Sequence, residues 1–457
     1  MEHPVDIPHM DGSVLGLPWV IPFLCILLSI AVLPLLAPRF WHRHYGKVAA
    51  FWAAVLIVPM SLKYGLDVVV FELVDVGLLE YVPFIILLLA LFTIAGGVRI
   101  TGSLTGTPPL NLAILVVGTV LASWMGTTGA AMLLVRPIIR ANRWREKNVH
   151  VVIFFIFLVA NIGGSLTPLG DPPLFLGFLN GIDFFWTTRA MLEPMLLVIG
   201  ILWVVFYAVD TYYYRRETNR PDPGENGDNP EKLGMEGGIN LLILLGAIGS
   251  VLLSGLWHSP VSFEVYHVEI HLQDLMRDVL LLFFAYVSWK VTAREIRERN
   301  EFSWFPIVEV AKLFAGIFVT IIPAIAILRA GEHGALRAII GAVSTPEGNP
   351  VNATYFWTTG ALSSFLDNAP TYLVFFNTAG GDPNLLMTDL AGTLLAISAG
   401  AVFMGANTYV GNAPNFMVRS IAREMDIPMP SFFGYMVKYS LPILIPIFVL
   451  VTWVFFL

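Results

Sequence analysis

Apolar residues fall in runs too long for the core of a soluble protein. Gly12 to Pro38 carries no charged side chain, and neither does Ile100 to Val135. Stretches of 18 or more apolar residues read as membrane-crossing helices. The pattern predicts ten spans, at 17–37, 48–66, 81–98, 150–181, 190–209, 238–257, 279–296, 307–328, 388–421 and 435–457. Two further apolar segments, 108–138 and 350–380, have small and polar residues at their centres: "SWMGTTGA" in one and "SSFLDNAPT" in the other. The fold class is an all-α polytopic membrane protein.

The basic residues sort these segments by side. Lys and Arg collect in cytoplasmic loops. With the N-terminus outside, only Lys63, Arg189, Arg277, Arg329 and Arg337 fall in outer segments; every other Lys and Arg is inside. Segment 108–138 has basic flanks at both ends, Arg99 on one side and Arg136, Arg140, Arg143, Arg145 and Lys147 on the other. It enters from the inside and returns there, and segment 350–380 starts and ends outside. Both read as re-entrant hairpins, which survive at membrane depth only against protein or a water-filled cavity. The alternative is that each is a full span. Both chain termini are then periplasmic, in a bacterial-type inner membrane.

Composition agrees. The chain is 56% hydrophobic and 13% charged, against about 25% charged in soluble domains. A net charge of −7 leaves no nucleic-acid footprint; the surroundings are membrane lipid. The first 16 residues hold Glu2, Asp6 and Asp11 and no basic residue, so a secretory signal is not expected. The single cysteine, Cys25, excludes an internal disulfide. A polar, Pro/Gly-rich linker at 210–238 divides a first half, 1–209, from a second, 239–457.

The halves echo each other. "LASWMGTTGAAMLL" (121–134) aligns with "LSSFLDNAPTYLVF" (362–375), and "GSLTPLGDPPLF" (164–175) with "GANTYVGNAPNF" (405–416), at one shift of 241 residues. Each half thus offers a hairpin tip and a broken helix, 150–181 or 388–421, and the shift reverses helix direction. Inverted repeats with interrupted apolar segments at matching places point to a transporter's binding site. Asp171 at one break and Asp367 at one tip fall near mid-membrane. An ionised carboxylate there costs at least about 2.5–3.5 kcal/mol, so each stays protonated or holds a cation. That competition is the chemistry of proton-coupled transport.

The paired tips and the two G-x-x-T-x-x-G breaks resemble the ion transporter superfamily, with NhaD-type sodium/proton antiporters, arsenite permeases, citrate–metal carriers and sodium–dicarboxylate carriers among its members. "NIGGSLTPLGDPP" and "SSFLDNAP" look most like the NhaD-type and citrate-carrier branch. The resemblance implies a scaffold, a transport domain carrying the hairpins, elevator-type alternating access and a homodimer. Carried over, one cation site uses Ser123, Thr127, Thr128, Gly164, Thr167, Gly170 and Asp171. The second uses Ser364, Asp367, Asn368, Asn407, Thr408, Gly411 and Asn412. Na⁺ at Asp171 and Asp367 and H⁺ are the transported or coupling ions, with no other cofactor. The first tip departs from the branch, since its Gly126-Thr127-Thr128-Gly129 lacks the usual Asp-Asn pair and resembles the dicarboxylate carriers.

The main expectation is sodium/proton exchange, abolished by Asp367→Asn. Its rival is a sodium- or proton-coupled carrier of citrate or dicarboxylates, whose substrates are small organic anions. A non-transporting membrane enzyme or scaffold is the third reading, though no catalytic motif appears. Simpler roles stand beside the functional ones. Asp171 suits an N-cap, Asn368 and Asn412 suit interhelical hydrogen bonding, and Thr127 and Thr128 suit back-bonding. Glu332 and His333 read as interfacial or as a proton relay. His258, His267 and His271 read as an acidic outer loop before a metal site, and Lys290 to Arg299 as part of the positive-inside signal.

Overall fold

The computed structural model describes residues 10–102, 104–218 and 234–457. Glu2, Asp6, Arg220, Lys232 and most of the predicted linker lie outside them. Among the described residues, eight helices are long and apolar enough to cross a membrane, with shorter apolar runs at Val149–Ser165 and Ala391–Asn407. The protein is a polytopic, mainly helical membrane protein, with two small antiparallel ribbons that the all-α expectation omitted: Arg99–Thr101 with Gly234–Glu236, and Ser262–Val265 with Val268–His271.

Local chemistry sets the ends of the helices. Helix Pro38–Tyr64 stops at Gly65, whose φ of 92° suits glycine. Asp183 caps helix Phe184–Arg216 by accepting from Phe185 N at 3.0 Å. The predicted gap between spans 48–66 and 81–98 is filled: Leu66–Val76 runs through a π-turn at Gly77–Tyr81 into Val82–Ala95. The acidic residues of 66–81 are carried on a continuous helix, and the π-turn absorbs the change of register.

Segment 108–138 is a hairpin of two helices, Pro108–Met125 and Thr127–Ala141. Its first arm is long enough to count among the eight, yet the chain turns back at once at Gly126, φ 80°. Segment 350–380 is the second hairpin, Asn352–Phe365 and Asn368–Thr378. Both broken helices are also present. Val149–Leu158 and Pro172–Leu179 flank the first break, and Ala391–Met404 and Ala413–Glu424 flank the second.

Two packing groups result, each drawing on both halves of the chain. Helices Ile21–Leu36, Pro38–Tyr64, Leu66–Ala95, Ile239–Leu256, Leu272–Val291 and Phe305–Arg329 pack on one another. Ring contacts such as Phe84 on Phe314, 4.9 Å between centroids, bind this group. The hairpins and breaks form the other group, with Phe184–Arg216 and Phe432–Phe455. The groups meet where Phe305–Arg329 touches Asn368–Thr378 and where Val82–Ala95 touches Thr127–Ala141.

Candidate functional site

The breaks are built from the same contacts. Thr167 Oγ1 donates to the Ser123 carbonyl, and Thr408 Oγ1 donates to the Ser364 carbonyl. Ser123 Oγ donates to Gly163 O at 2.5 Å; Ser364 Oγ donates to Met404 O at 3.0 Å. The threonine hydroxyls also accept from Leu169 N and Val410 N. Every pair is related by the 241-residue shift. The glycines have a steric reason. A Cβ on Gly170 would sit 2.1 Å from Gly164 O, and one on Gly411 would sit 2.6 Å from Gly405 O. The G-x-x-T-x-x-G spacing lets the break fold on itself while its threonine ties it to the hairpin.

Residues assigned to the two expected sites converge on one carboxylate. Asp171 Oδ1 accepts from Thr127 Oγ1 at 3.1 Å and from Asn412 Nδ2 at 2.9 Å, and its Oδ2 accepts from Asn368 Nδ2 at 2.5 Å. Thr127 and Asn368 are shift-matched, as are Asp171 and Asn412, so the two halves meet at this cluster. All four residues are buried. Asp171 occupies an N-cap position but makes no capping hydrogen bond; its oxygens turn to the tips instead.

Asp367 stands differently. It is half-buried, and its Oδ1 accepts from Ala369 N at 3.1 Å, the N-cap geometry. Its matched position is Gly126, which turns the first tip by a positive φ. Thr128 lines a cavity of about 80 Å³ with Leu91, Met125, Asp171, Ile307 and Met417. Asn407 Nδ2 donates to Ser364 Oγ at 2.9 Å. The carboxamide oxygens of Asn368 and Asn407 are buried and accept no hydrogen bond from the protein; such oxygens suit a hard cation.

Four helices begin at the cluster: Thr127–Ala141, Pro172–Leu179, Asn368–Thr378 and Ala413–Glu424. Helix N-termini carry partial positive charge and favour anions. The cluster is thus a positive focus of dipoles holding one carboxylate.

Sequence reasoning assigned no role to Asn161 and Asn415. Asn161 Nδ2 donates to Asn415 Oδ1 at 2.6 Å, and Asn415 Nδ2 donates to the carbonyls of Gly405 and Thr408. An amide one residue before the first break's 3₁₀ turn was the available signal. Arg145, read only as a topology signal, is buried and pairs with Asp210 at 2.6 Å. Asp210 also faces His150 Nε2 at 2.7 Å and accepts from Asn111 Nδ2 at 2.9 Å. Arg297 is buried too, donating to Thr93 O at 2.8 Å and Ser288 O at 3.0 Å. Glu332 and His333 are exposed. His267 lies 3.3 Å from Glu264, and no group of three or more metal-ligating side chains occurs among the described residues.

A polytopic helical protein whose hairpin tips and broken helices converge on a buried polar cluster belongs to the class of membrane transport proteins. Residues 12–456 match the family described as "Putative citrate transport", and the chain belongs to that family. It is accordingly a secondary transporter of small anions by family. No curated relative matches the chain.

Proposed function

We propose that the protein is a cation-coupled carrier of citrate-like di- and tricarboxylates, with the substrate anion received at Thr127, Asn368 and Asn412. The observation that carries this reading is the convergence of four helix N-termini on a cluster with a single fully buried carboxylate. In the state described, Asp171 takes the hydrogen bonds that a substrate carboxylate would need. Two anions cannot share these donors at close range. The substrate enters when Asp171 is neutralised by a proton or paired with a cation, and coupling follows from that exclusion. The free amide oxygens of Asn368 and Asn407 supply ligands suited to Na⁺. The cavity beside Asp171 is walled by the first hairpin tip on one side and by Pro306, Ile307 and Val310 on the other. Widening it for a tricarboxylate moves the first hairpin tip away from Phe305–Arg329.

Sodium/proton exchange is the second reading, and the unpartnered amide oxygens of Asn368 and Asn407 favour it. Asp171 would then alternate between H⁺ and Na⁺ with no organic substrate. The discriminating experiment is uptake of labelled citrate and succinate into right-side-out vesicles under an imposed H⁺ or Na⁺ gradient. It is paired with dequenching assays for Na⁺, Li⁺ and K⁺ exchange in everted vesicles. Gradient-driven uptake that is lost in Asp171→Asn supports the carrier. Cation-dependent dequenching without uptake of either anion moves the assignment to the exchanger, and silence in both assays from inserted protein sinks both.

A further inference from the structure

Two contacts join the hairpins to the segment 301–329, which carries helix Phe305–Arg329, one at each end of it. In the first hairpin, Arg136 Nη2 lies 2.8 Å from Glu301 Oε2, four residues before that helix begins. In the second, Asn377 Oδ1 accepts from Arg329 Nε at 2.8 Å, and Arg329 is the helix's last residue. Arg136 and Asn377 are shift-matched. Each lies nine residues after the first residue of its hairpin's second arm, Thr127 or Asn368, and so about 14 Å along the helix from the cluster. The strut, helix Phe305–Arg329, has 25 residues, about 37 Å at 1.5 Å per residue, the thickness of a bilayer.

Neighbouring groups reinforce each contact. Arg140, one turn beyond Arg136, donates to Ile100 O at 3.3 Å. Glu80, at the π-turn, interacts with Arg329 and with Asn180, which ends the post-break helix that starts beside Asp171. Two helices that begin at the cluster therefore end at the Arg329–Asn377 contact, on the side expected to be outer. Pro306, Ile307 and Val310 of the strut line the cavity between the contacts.

From these positions we infer that Arg136–Glu301 and Arg329–Asn377 are paired clasps that hold the hairpin group against the strut, and that each open state keeps one and breaks the other. This rests on the transporter reading. Both clasps are made in the structure. A group that slides along the strut cannot keep contacts at both ends, because packed cores shift between discrete arrangements and do not stretch.

The test uses the full chain in vesicles, with Cys25→Ser as parent and Val310→Cys as a reporter for a membrane-impermeant maleimide. Glu301→Gln and Arg136→Gln release the inner clasp and raise labelling from the inner face about three- to fivefold, the shift expected from a partly exposed ion pair. The exchange Arg136→Glu with Glu301→Arg returns labelling to the parent level. Asn377→Ala releases the outer clasp and lowers inner-face labelling. Thermal melting of each variant in detergent shows that it is folded, and Arg136→Lys serves as the conservative control. Labelling unchanged in every folded variant, or not restored by the exchange, overturns the inference. Labelling needs no substrate. A restored shift in a protein that takes up neither anion nor cation supports the clasps while the carrier assignment fails.

Discussion

The two hairpins occupy matched places and reach one cluster, yet they are built differently at the tip and at the base. The first tip turns on Gly126 and presents Thr127, whereas the second is capped by Asp367 and presents Asn368. At the bases, Asn111 and Asn352 are shift-matched. Asn111 donates to Asp210, which is paired with Arg145 and wholly buried. Asn352 accepts a single hydrogen bond from Thr393 Oγ1, at 2.8 Å. The lesson is that matched backbone positions can carry different polar chemistry. The halves share the contacts that hold the breaks closed and differ in where they place a charge.

The comparison breaks most sharply at the two aspartates. Asp171→Asn removes the charge that three donors converge on, and transport falls by at least about a hundredfold, the scale of losing about 3 kcal/mol. Asp367→Asn leaves transport within about threefold, because Asn is as good an N-cap as Asp. The sequence alone supported the opposite expectation for Asp367. Initial uptake rates at matched protein levels decide between them; equal loss in both variants would return Asp367 to the transport chemistry.

The bases come next. Asp210→Ala leaves Arg145 buried without its counter-charge and costs about 3–5 kcal/mol. Asn352→Ala removes one neutral hydrogen bond and costs about 1 kcal/mol. Denaturation midpoints in detergent measure both, and similar values would mean that the ionic base adds nothing to the first hairpin's anchorage.

Much of this architecture was legible in the sequence. The hairpins, the breaks and seven of the ten expected spans follow from apolar runs punctuated by Gly, Pro and polar residues; 150–181, 279–296 and 388–421 are not among the eight long apolar helices. Side-chain direction was not legible. Asp171 and Asp367 look alike in a string, and only packing turns one toward the opposite half and the other onto its own backbone. Arg145 and Arg297 were hidden for a related reason: a buried arginine and a topology signal read the same until Asp210, or the carbonyls of Thr93 and Ser288, are seen beside them. The helix through 66–81 was missed because Asp67, Glu72, Asp75 and Glu80 resemble a loop in composition.

The smallest effects test what the halves have in common. Thr167→Val and Thr408→Val keep side-chain shape and remove a hydroxyl that ties a break to its hairpin. Each leaves a serine carbonyl and a backbone N–H without a partner, at a cost of about 1–3 kcal/mol. Thr408 Oγ1 also accepts from Gly411 N at 3.1 Å, whereas Gly170 N bonds the Thr167 carbonyl, so Thr408→Val is the more destabilising by up to about 1 kcal/mol. Thermal melts of the two variants read the difference directly. A cost confined to one of them would mean that the matched geometry is not matched in energy, and that one break alone carries the closure of the site.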